Sequence, residues 1–308
     1  MSNIFEKILN YFNEYNKENI RNLNPDNPIY VLNSRDTSII NKFFNNDIIR
    51  TDKKSNLFMT FIPNTSKIMV STFCCHVTME KIHDKFASFG LAIQGCYGIN
   101  PISMVPFYYS GYEIPFTGQI NEKKTDTYMT NLLDKTFLVI DNHVSIKIMN
   151  GEELVSYKPI GVNVQYIEGF GIYGKGRPKS DFLGKSDIGS KPAMGRPKPD
   201  FLGKSGIGST PERGRPKSYL GGASMEISPL IIMTDINNNI MIFYCQYINL
   251  DSLMILLDKL ECYDAIILCD SANVNIIWKE RDNHNFYNKT NFIGNPSQNV
   301  INVVTFSG

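Results

Sequence analysis

The sequence predicts an α+β domain, a mixed sheet with flanking helices, interrupted by a disordered basic insertion. Three observations lead there: two matching strand-helix-strand units, two hairpin patterns, and a tandem repeat whose composition is foreign to the rest of the chain. They divide it into an N-terminal accessory segment (1–54), a first domain part (55–174), the repeat insertion (175–221) and a second domain part (222–308).

In chain order, Ile4 to Phe12 reads as an amphipathic helix, the Asn- and Pro-rich stretch after it breaks that helix, and Ile29 to Leu32 begins β-like structure. The first unit follows. Ile68 to Phe73 reads as a strand, Thr78 as an N-cap, and Met79, Ile82, Phe86 and Phe89 recur at helical spacing; Leu91 to Ile93 then ends at Gln94-Gly95. Thr136 to Ile140 and Val144 to Ile148 form a hairpin around Asp141-Asn142-His143, with Val144, Ile146 and Ile148 alternating. A second hairpin joins Ile231–Met233 to Ile240–Phe243 across Asp235 to Asn239.

The second unit starts from that hairpin. Ile240 to Tyr244 leads to Asn249, another N-cap. Leu250, Leu253, Met254, Leu257 and Leu260 share one helical face, and Ala265 to Leu268 ends at Cys269-Asp270-Ser271. Both units stop at polar residues on a strand's carboxyl end, where α/β proteins usually build a site.

The insertion has a 19-residue period: GRPKSDFLGKSDIGSKPAM from Gly176, GRPKPDFLGKSGIGSTPER from Gly195, and a truncated GRPKSYLG from Gly214. None of the 33 Asn residues lies between Asn163 and Asn237, whereas Gly, Pro, Ser and Lys dominate there. Each unit offers too little apolar surface to offset ordering costs of roughly 1 to 2 kcal/mol per residue, so a mobile loop is expected. Lys175 to Lys217 holds eleven basic and four acidic residues, a net +7 in a chain of net +1. That charge suits either a tolerated surface insertion or a strap for nucleic acid or another polyanion. Gly184-Lys185-Ser186 is not a P-loop, because Lys179 stands where its first Gly is needed. Gly169 to Gly174 spells a dinucleotide fingerprint but runs into Gly176-Arg177-Pro178 instead of opening a helix.

Composition excludes other classes. With 308 residues and 42% hydrophobic content the chain can bury a sizeable core, and no apolar run approaches the ~20 residues that span a bilayer. The start lacks a signal-peptide core, and the six cysteines sit in apolar contexts; a soluble, reduced, intracellular protein without cofactor or membrane contact is expected. Cys74-Cys75-His76 with His83 is not a metal site, since neighbouring strand residues face opposite sides and no second ligand pair follows. The Asn-, Ile- and Lys-rich background suggests an AT-rich genome such as that of a large DNA virus or an intracellular parasite, and hence host cytoplasm or a virion.

The run NLDSLMILLDKLECYDAIILCDSANVNIIWK resembles the C-terminal hallmark of the phosphodiester glycosidase family. The resemblance covers Ile68 to Ile160 and Met225 to Phe306. It implies a capped Leu-rich helix, a buried strand and an Asp-Gly-Gly-Gly-Ser turn; here Asp270 keeps the Asp, while Ser271, Ala272, Asn273 and Val274 replace the rest. Gln94, before Gly95, stands where the family has Asn, and Leu230 stands where it has an Arg. As the resemblance implies, Asp270 is the candidate catalytic residue and Gln94, Gly95, Ser271, Asn273, Asn275 and Lys279 are candidate contacts to a carbohydrate or sugar-phosphate ligand.

Glycoside cleavage generally needs a second group besides the acid, and a phosphodiester is best held by a fixed bidentate cation. Leu230 supplies neither. The sequence is therefore read as a divergent module, inactive or altered, in a binding or structural role. The alternatives are an active hydrolase of a sugar-1-phosphodiester and a polyanion contact through the repeat. Asp270 itself is compatible with a turn residue after a buried strand, a retained ligand contact or catalysis.

Overall fold

The computed structural model describes residues 4–15, 20–24, 26–49, 55–85, 90–95, 107–109, 136–158, 164–179, 226–270, 274–280 and 289–307. In order the elements are α1 (Ile4–Tyr15), β1 (Ile20–Asn22), β2 (Tyr30–Ser34), α2 (Ser38–Phe44), β3 (Leu57–Ile62), β4 (Met69–Thr78), α3 (Met79–Lys85), β5 (Gly90–Gln94), β6 (Phe107–Tyr109), β7 (Thr136–Asp141), β8 (Ser145–Asn150), α4 (Gly151–Ser156), β9 (Val164–Gly174), β10 (Arg177–Pro178), β11 (Glu226–Ile227), β12 (Pro229–Thr234), β13 (Ile240–Cys245), β14 (Ile248–Asn249), α5 (Leu250–Lys259), β15 (Asp264–Asp270), β16 (Ile276–Glu280), β17 (Lys289–Ile293) and β18 (Asn299–Ser307).

Both strand-helix-strand units form, with α3 described through Lys85, and Phe86 and Phe89 outside the described residues, and their caps work as their residue types require. Thr78 Oγ1 accepts from the Lys81 N–H at 3.3 Å and Asn249 Oδ1 from the Ser252 N–H at 3.1 Å, which relieves one of the unpaired donors that start each helix. The strands of a unit are not neighbours, however. β18 lies between β4 and β5, antiparallel to both, and β12 lies likewise between β13 and β15. Each helix thus carries the chain over one intervening strand, a split βαβ arrangement.

The α+β class holds, but the single mixed sheet expected from the sequence is replaced by two main sheets. The larger runs β1-β2-β3-β13-β12-β15-β9-β7-β8, with β6 and β10 also on β9; the smaller runs β17-β16-β5-β18-β4. β11 and β14 make a separate ribbon, and every pairing among the described residues is antiparallel.

The two sheets stack face to face. Phe58, Leu230, Ile232 and Tyr244 of the larger meet Ile93, Ile276, Trp278 and Phe306 of the smaller, with the Phe58 and Trp278 ring centroids 5.2 Å apart. The other face of the large sheet, Met59, Phe61, Ile231 and Phe243, is covered by Ile4 and Ile8 of α1, Ile39 and Ile40 of α2, and Leu253, Leu256 and Leu257 of α5. α3 lays Met79 and Ile82 over Ala92, Ile277 and Val303 on the outside of the small sheet. The result is four layers, helix, sheet, sheet, helix. That is why β3, β7 and β12 are buried along their whole length and read as continuous apolar runs rather than alternating ones.

The segment 1–54 contributes to this core: β2 pairs with β3 along five residues, Tyr30 to Ser34. Both predicted hairpins are present. Asn142 and His143 turn the first with positive φ, which places Val144 in the turn, 68% exposed, instead of on the apolar face. Gly169 to Gly174 lies within β9, as its rejection as a nucleotide loop requires. Of the repeat, Lys175 to Lys179 is described; the expected mobile loop, residues 180–221, lies outside the described residues.

Candidate functional site

Asp270 ends β15, and a bulge decides where its carboxylate goes. The register against β12 shifts between Leu230 and Ile231, which pair with Cys269 and Ile267 and leave Leu268 unpaired. With strict alternation, Ile266, Leu268 and Asp270 would all face the core between the sheets. Because of the extra residue Leu268 and Cys269 both join that core, and the next side chain, Asp270, is turned to the other face. There Asp270 Oδ1 accepts the Ser228 N–H at 2.7 Å, and the Ser228 hydroxyl accepts the Tyr247 N–H at 3.1 Å. Burial raises the Asp270 pKa above the usual carboxylate value, and the Ser228 N–H partly offsets it. Among the described residues Oδ2 has no hydrogen-bond partner.

Gln94 and Asn275 do come together. The Gln94 N–H donates to the Asn275 carbonyl at 2.9 Å, and Gln94 Oε1 accepts from Asn275 Nδ2 at 3.0 Å and from the Asn275 N–H at 3.3 Å. Asn275 Oδ1 accepts the Asn295 N–H at 2.7 Å. One buried amide, 1% exposed, thereby ties the end of β5 and the start of β16 to the turn between β17 and β18. Gly294 makes room for it: a Cβ there would stand 2.6 Å from Asn275 Oδ1 and 2.2 Å from the Val274 carbonyl, and φ is +88°. Val274 and Ile276 face the core between the sheets, so Asn275, and Gln94 beside Ile93, face outward on the side of α3.

The expected site residues are therefore not one cluster. Asp270 points to the outer face of the large sheet, and the Gln94–Asn275 pair to the outer face of the small one. Lys279 lies four residues along β16 from Asn275, about 13 Å at the usual strand rise, and sits beyond the Trp278–Leu91 pair at the opposite end of β5. This register separates Lys279 from the Gln94–Asn275 pair. Gly95 is buried at the end of β5, and Ser271 and Asn273 lie outside the described residues.

The sequence reading missed a different polar region. A cleft of about 630 Å³ is lined by Glu153, Glu168, Phe170, Lys175, Lys179 and Asp264, among others, and by none of Asp270, Gln94, Asn275 and Lys279. Asn150 and Glu153 form a capping box at α4, a signal the sequence carries as Asn-x-x-Glu. Burial would raise the Glu153 pKa, but the Lys175 ammonium at 2.9 Å and the Asn150 N–H outweigh it and hold the carboxyl low. Asp264 is raised, by burial first; its hydrogen bond from the Lys175 N–H at 3.0 Å opposes the rise and the Glu153 charge adds to it. Cys245, Cys262 and Cys269 are buried, and burial pushes the Cys245 thiol up to about 12, a packing role and not a nucleophile's. Among the described residues no helix is long and apolar enough to cross a membrane.

No protein-family model matches the chain, and no curated protein matches it. Among solved structures the chain is similar to the zebrafish N-acetylglucosamine-1-phosphodiester alpha-N-acetylglucosaminidase catalytic domain auto-inhibited by its pro-peptide, at 10% identity and TM-score 0.46, covering 94% of this chain and 87% of that one. It is also similar to a hypothetical protein from Synechocystis, at 10% identity and TM-score 0.42, covering 91% of this chain and 62% of that one. The likeness is distant, and no residue role passes from these proteins to this chain.

Proposed function

We propose that the chain is a divergent phosphodiester glycosidase-like module with a binding or structural role. The observation that supports this most is the Gln94–Asn275–Asn295 network. The amides at the predicted ligand-binding strand end are bonded to each other and to the backbone, and they hold three segments of the small sheet together. Asp270 has a comparable structural duty, capping the start of β12 through the Ser228 N–H. A group that already satisfies a buried partner loses that interaction when it turns to a ligand.

The runner-up is an active sugar-1-phosphodiester hydrolase. Its support is the raised pKa of Asp270 together with an Oδ2 that has no partner among the described residues, the state a general acid needs. Incubation of the purified chain with a panel of sugar-1-phosphodiesters separates the two. Binding without turnover, or neither, is the expected result, and turnover abolished by Asp270→Asn would overturn the proposal. A polyanion contact through the repeat is compatible with either reading and rests on the +7 charge of that segment.

A further inference from the structure

The cleft of about 630 Å³ lies at the opposite end of β15 from Asp270. Asp264, the first residue of that strand, lines it together with the start of β7, the end of β8 and the last residues of β9. One wall is the chain that leaves β9, and backbone bonds fix its course. Lys175 and Gly176 turn with positive φ, and Arg177 and Pro178 pair back onto Gly174 and Tyr173. The Gly176 N–H donates to the Tyr263 carbonyl at 2.8 Å and the Lys179 N–H to the Ile172 carbonyl at 3.0 Å. The charged side chains of this wall are held in turn. The Lys175 ammonium pairs with Glu153 at 2.9 Å, and Lys179 Nζ donates to Thr136 Oγ1 at 2.8 Å. Gly171 leaves room for that second amine, since a Cβ there would stand 2.6 Å from Lys179 Nζ. Asp264 Oδ1 accepts the Lys175 N–H at 3.0 Å, and Asp264 Oδ2 has no hydrogen-bond partner among the described residues.

Its volume falls within the roughly 300–1,000 Å³ of small-molecule sites, and its charges select among ligands. The carboxylates of Glu152, Glu153, Glu168 and Asp264 are offset by Lys175, Arg177 and Lys179, so neither sign dominates the lining. Lys175 and Lys179 both act on Glu153 and on Asp264. An ionic ligand would have to break or crowd these pairs. A hydroxyl, with one donor and two acceptor lone pairs, can bridge a carboxylate and an ammonium without separating them. Phe170, 38% exposed, adds an aromatic group to the lining. We propose that this cleft is a saccharide site, taking a neutral oligosaccharide whose hydroxyls donate to Asp264 Oδ2 and accept from the Lys175 ammonium while the C–H side of a sugar ring lies against Phe170. The site is remote from Asp270 and from the Gln94–Asn275 pair, and the inference holds whichever reading of those two strand ends is right.

The test is amide chemical-shift mapping by nuclear magnetic resonance on the isotopically labelled full-length chain, titrated separately with maltotriose, cellotriose, mannotriose, free alanine and inorganic phosphate. One of the trisaccharides should saturate with a Kd of about 1 mM or tighter and move the amides of Gly171, Lys175, Gly176 and Asp264. Asp264→Ala should weaken that binding about tenfold or more, because a hydrogen bond to a charged group is lost. Lys175→Met, at a side chain 73% exposed, should weaken it as well, and a melting temperature near that of wild type separates lost binding from lost folding. Shifts at these amides with alanine or phosphate and with none of the sugars would overturn the saccharide assignment, and no shift with any probe would overturn the site. A trisaccharide affinity unchanged in both variants would overturn it too. Sugar-induced shifts confined to Asp270, Gln94 and Asn275 would overturn this site while counting against the structural role proposed for those residues.

Discussion

Replacing Asn275 by Ala removes two good side-chain hydrogen bonds, to Gln94 Oε1 at 3.0 Å and from the Asn295 N–H at 2.7 Å. Each contributes about 1 kcal/mol net. Asn295 is exposed and Gln94 half-buried, so water can satisfy both abandoned partners and the penalty for unpaired groups stays small. The expected loss is about 2 to 3 kcal/mol. A domain somewhat smaller than this 308-residue chain loses about 2 to 4 °C per kcal/mol, so a fall of about 4 to 12 °C is expected. Gln94→Ala should cost about 2 to 3 kcal/mol, because it removes the acceptor of two hydrogen bonds and leaves buried donors of Asn275 short of a partner. The two changes share one bond, and a double-mutant cycle from urea denaturation should therefore give a coupling of about 1 kcal/mol. Additive losses, or an Asn275→Ala chain that melts with wild type, would refute the assignment of this pair as a structural tie.

Gly294→Ala should destabilise by about 2 kcal/mol or more in the same assay, since it puts a Cβ at positive φ against the Val274 carbonyl. The folded pKa of Asp270 lies above its unfolded value, so the folded state binds the proton more tightly. Its contribution to stability is fully present below about pH 3.8 and is lost as pH rises through the folded pKa. Asp270→Asn, whose side-chain oxygen still accepts the Ser228 N–H, should gain stability relative to wild type across that rise and match it most closely at acid pH, as read by melting temperature against pH. Deletion of 180–221, sparing the paired residues Lys175 to Lys179, should leave the melting temperature within about 1 °C and abolish any salt-sensitive retention on immobilised DNA; a chain that no longer folds would contradict the insertion reading.

The sequence shows its local features well and its long-range ones poorly. The N-caps at Thr78 and Asn249, the Leu face of α5 and the two hairpins are each set by residues a few positions apart, where periodicity and cap chemistry speak directly. The insertion of β18 between β4 and β5 joins Met69 to Ser307, and no local pattern announces such a pairing; hence one sheet was expected where two are found. The Asp270 loop was readable as a strand end, but its direction depends on the bulge opposite Leu230 and Ile231, a property of two strands together. Lys175 to Lys179 was assigned to the insertion because composition averages over 19-residue units and hides five residues with specific partners. A polar residue at a strand end, such as Gln94, looks the same in the sequence whether its partner is a sugar or Asn275.

Under the proposed function the amides at the end of β5 and the start of β16 hold the sheet instead of a ligand. The Asn275 side-chain NH₂ signal, followed by nuclear magnetic resonance during titration with a sugar-1-phosphodiester, tests it most directly. The expected result is a resonance that exchanges slowly with solvent, couples to Gln94 and does not move at saturation. A signal that shifts or gains protection in step with ligand occupancy, together with that of Gln94, would contradict it.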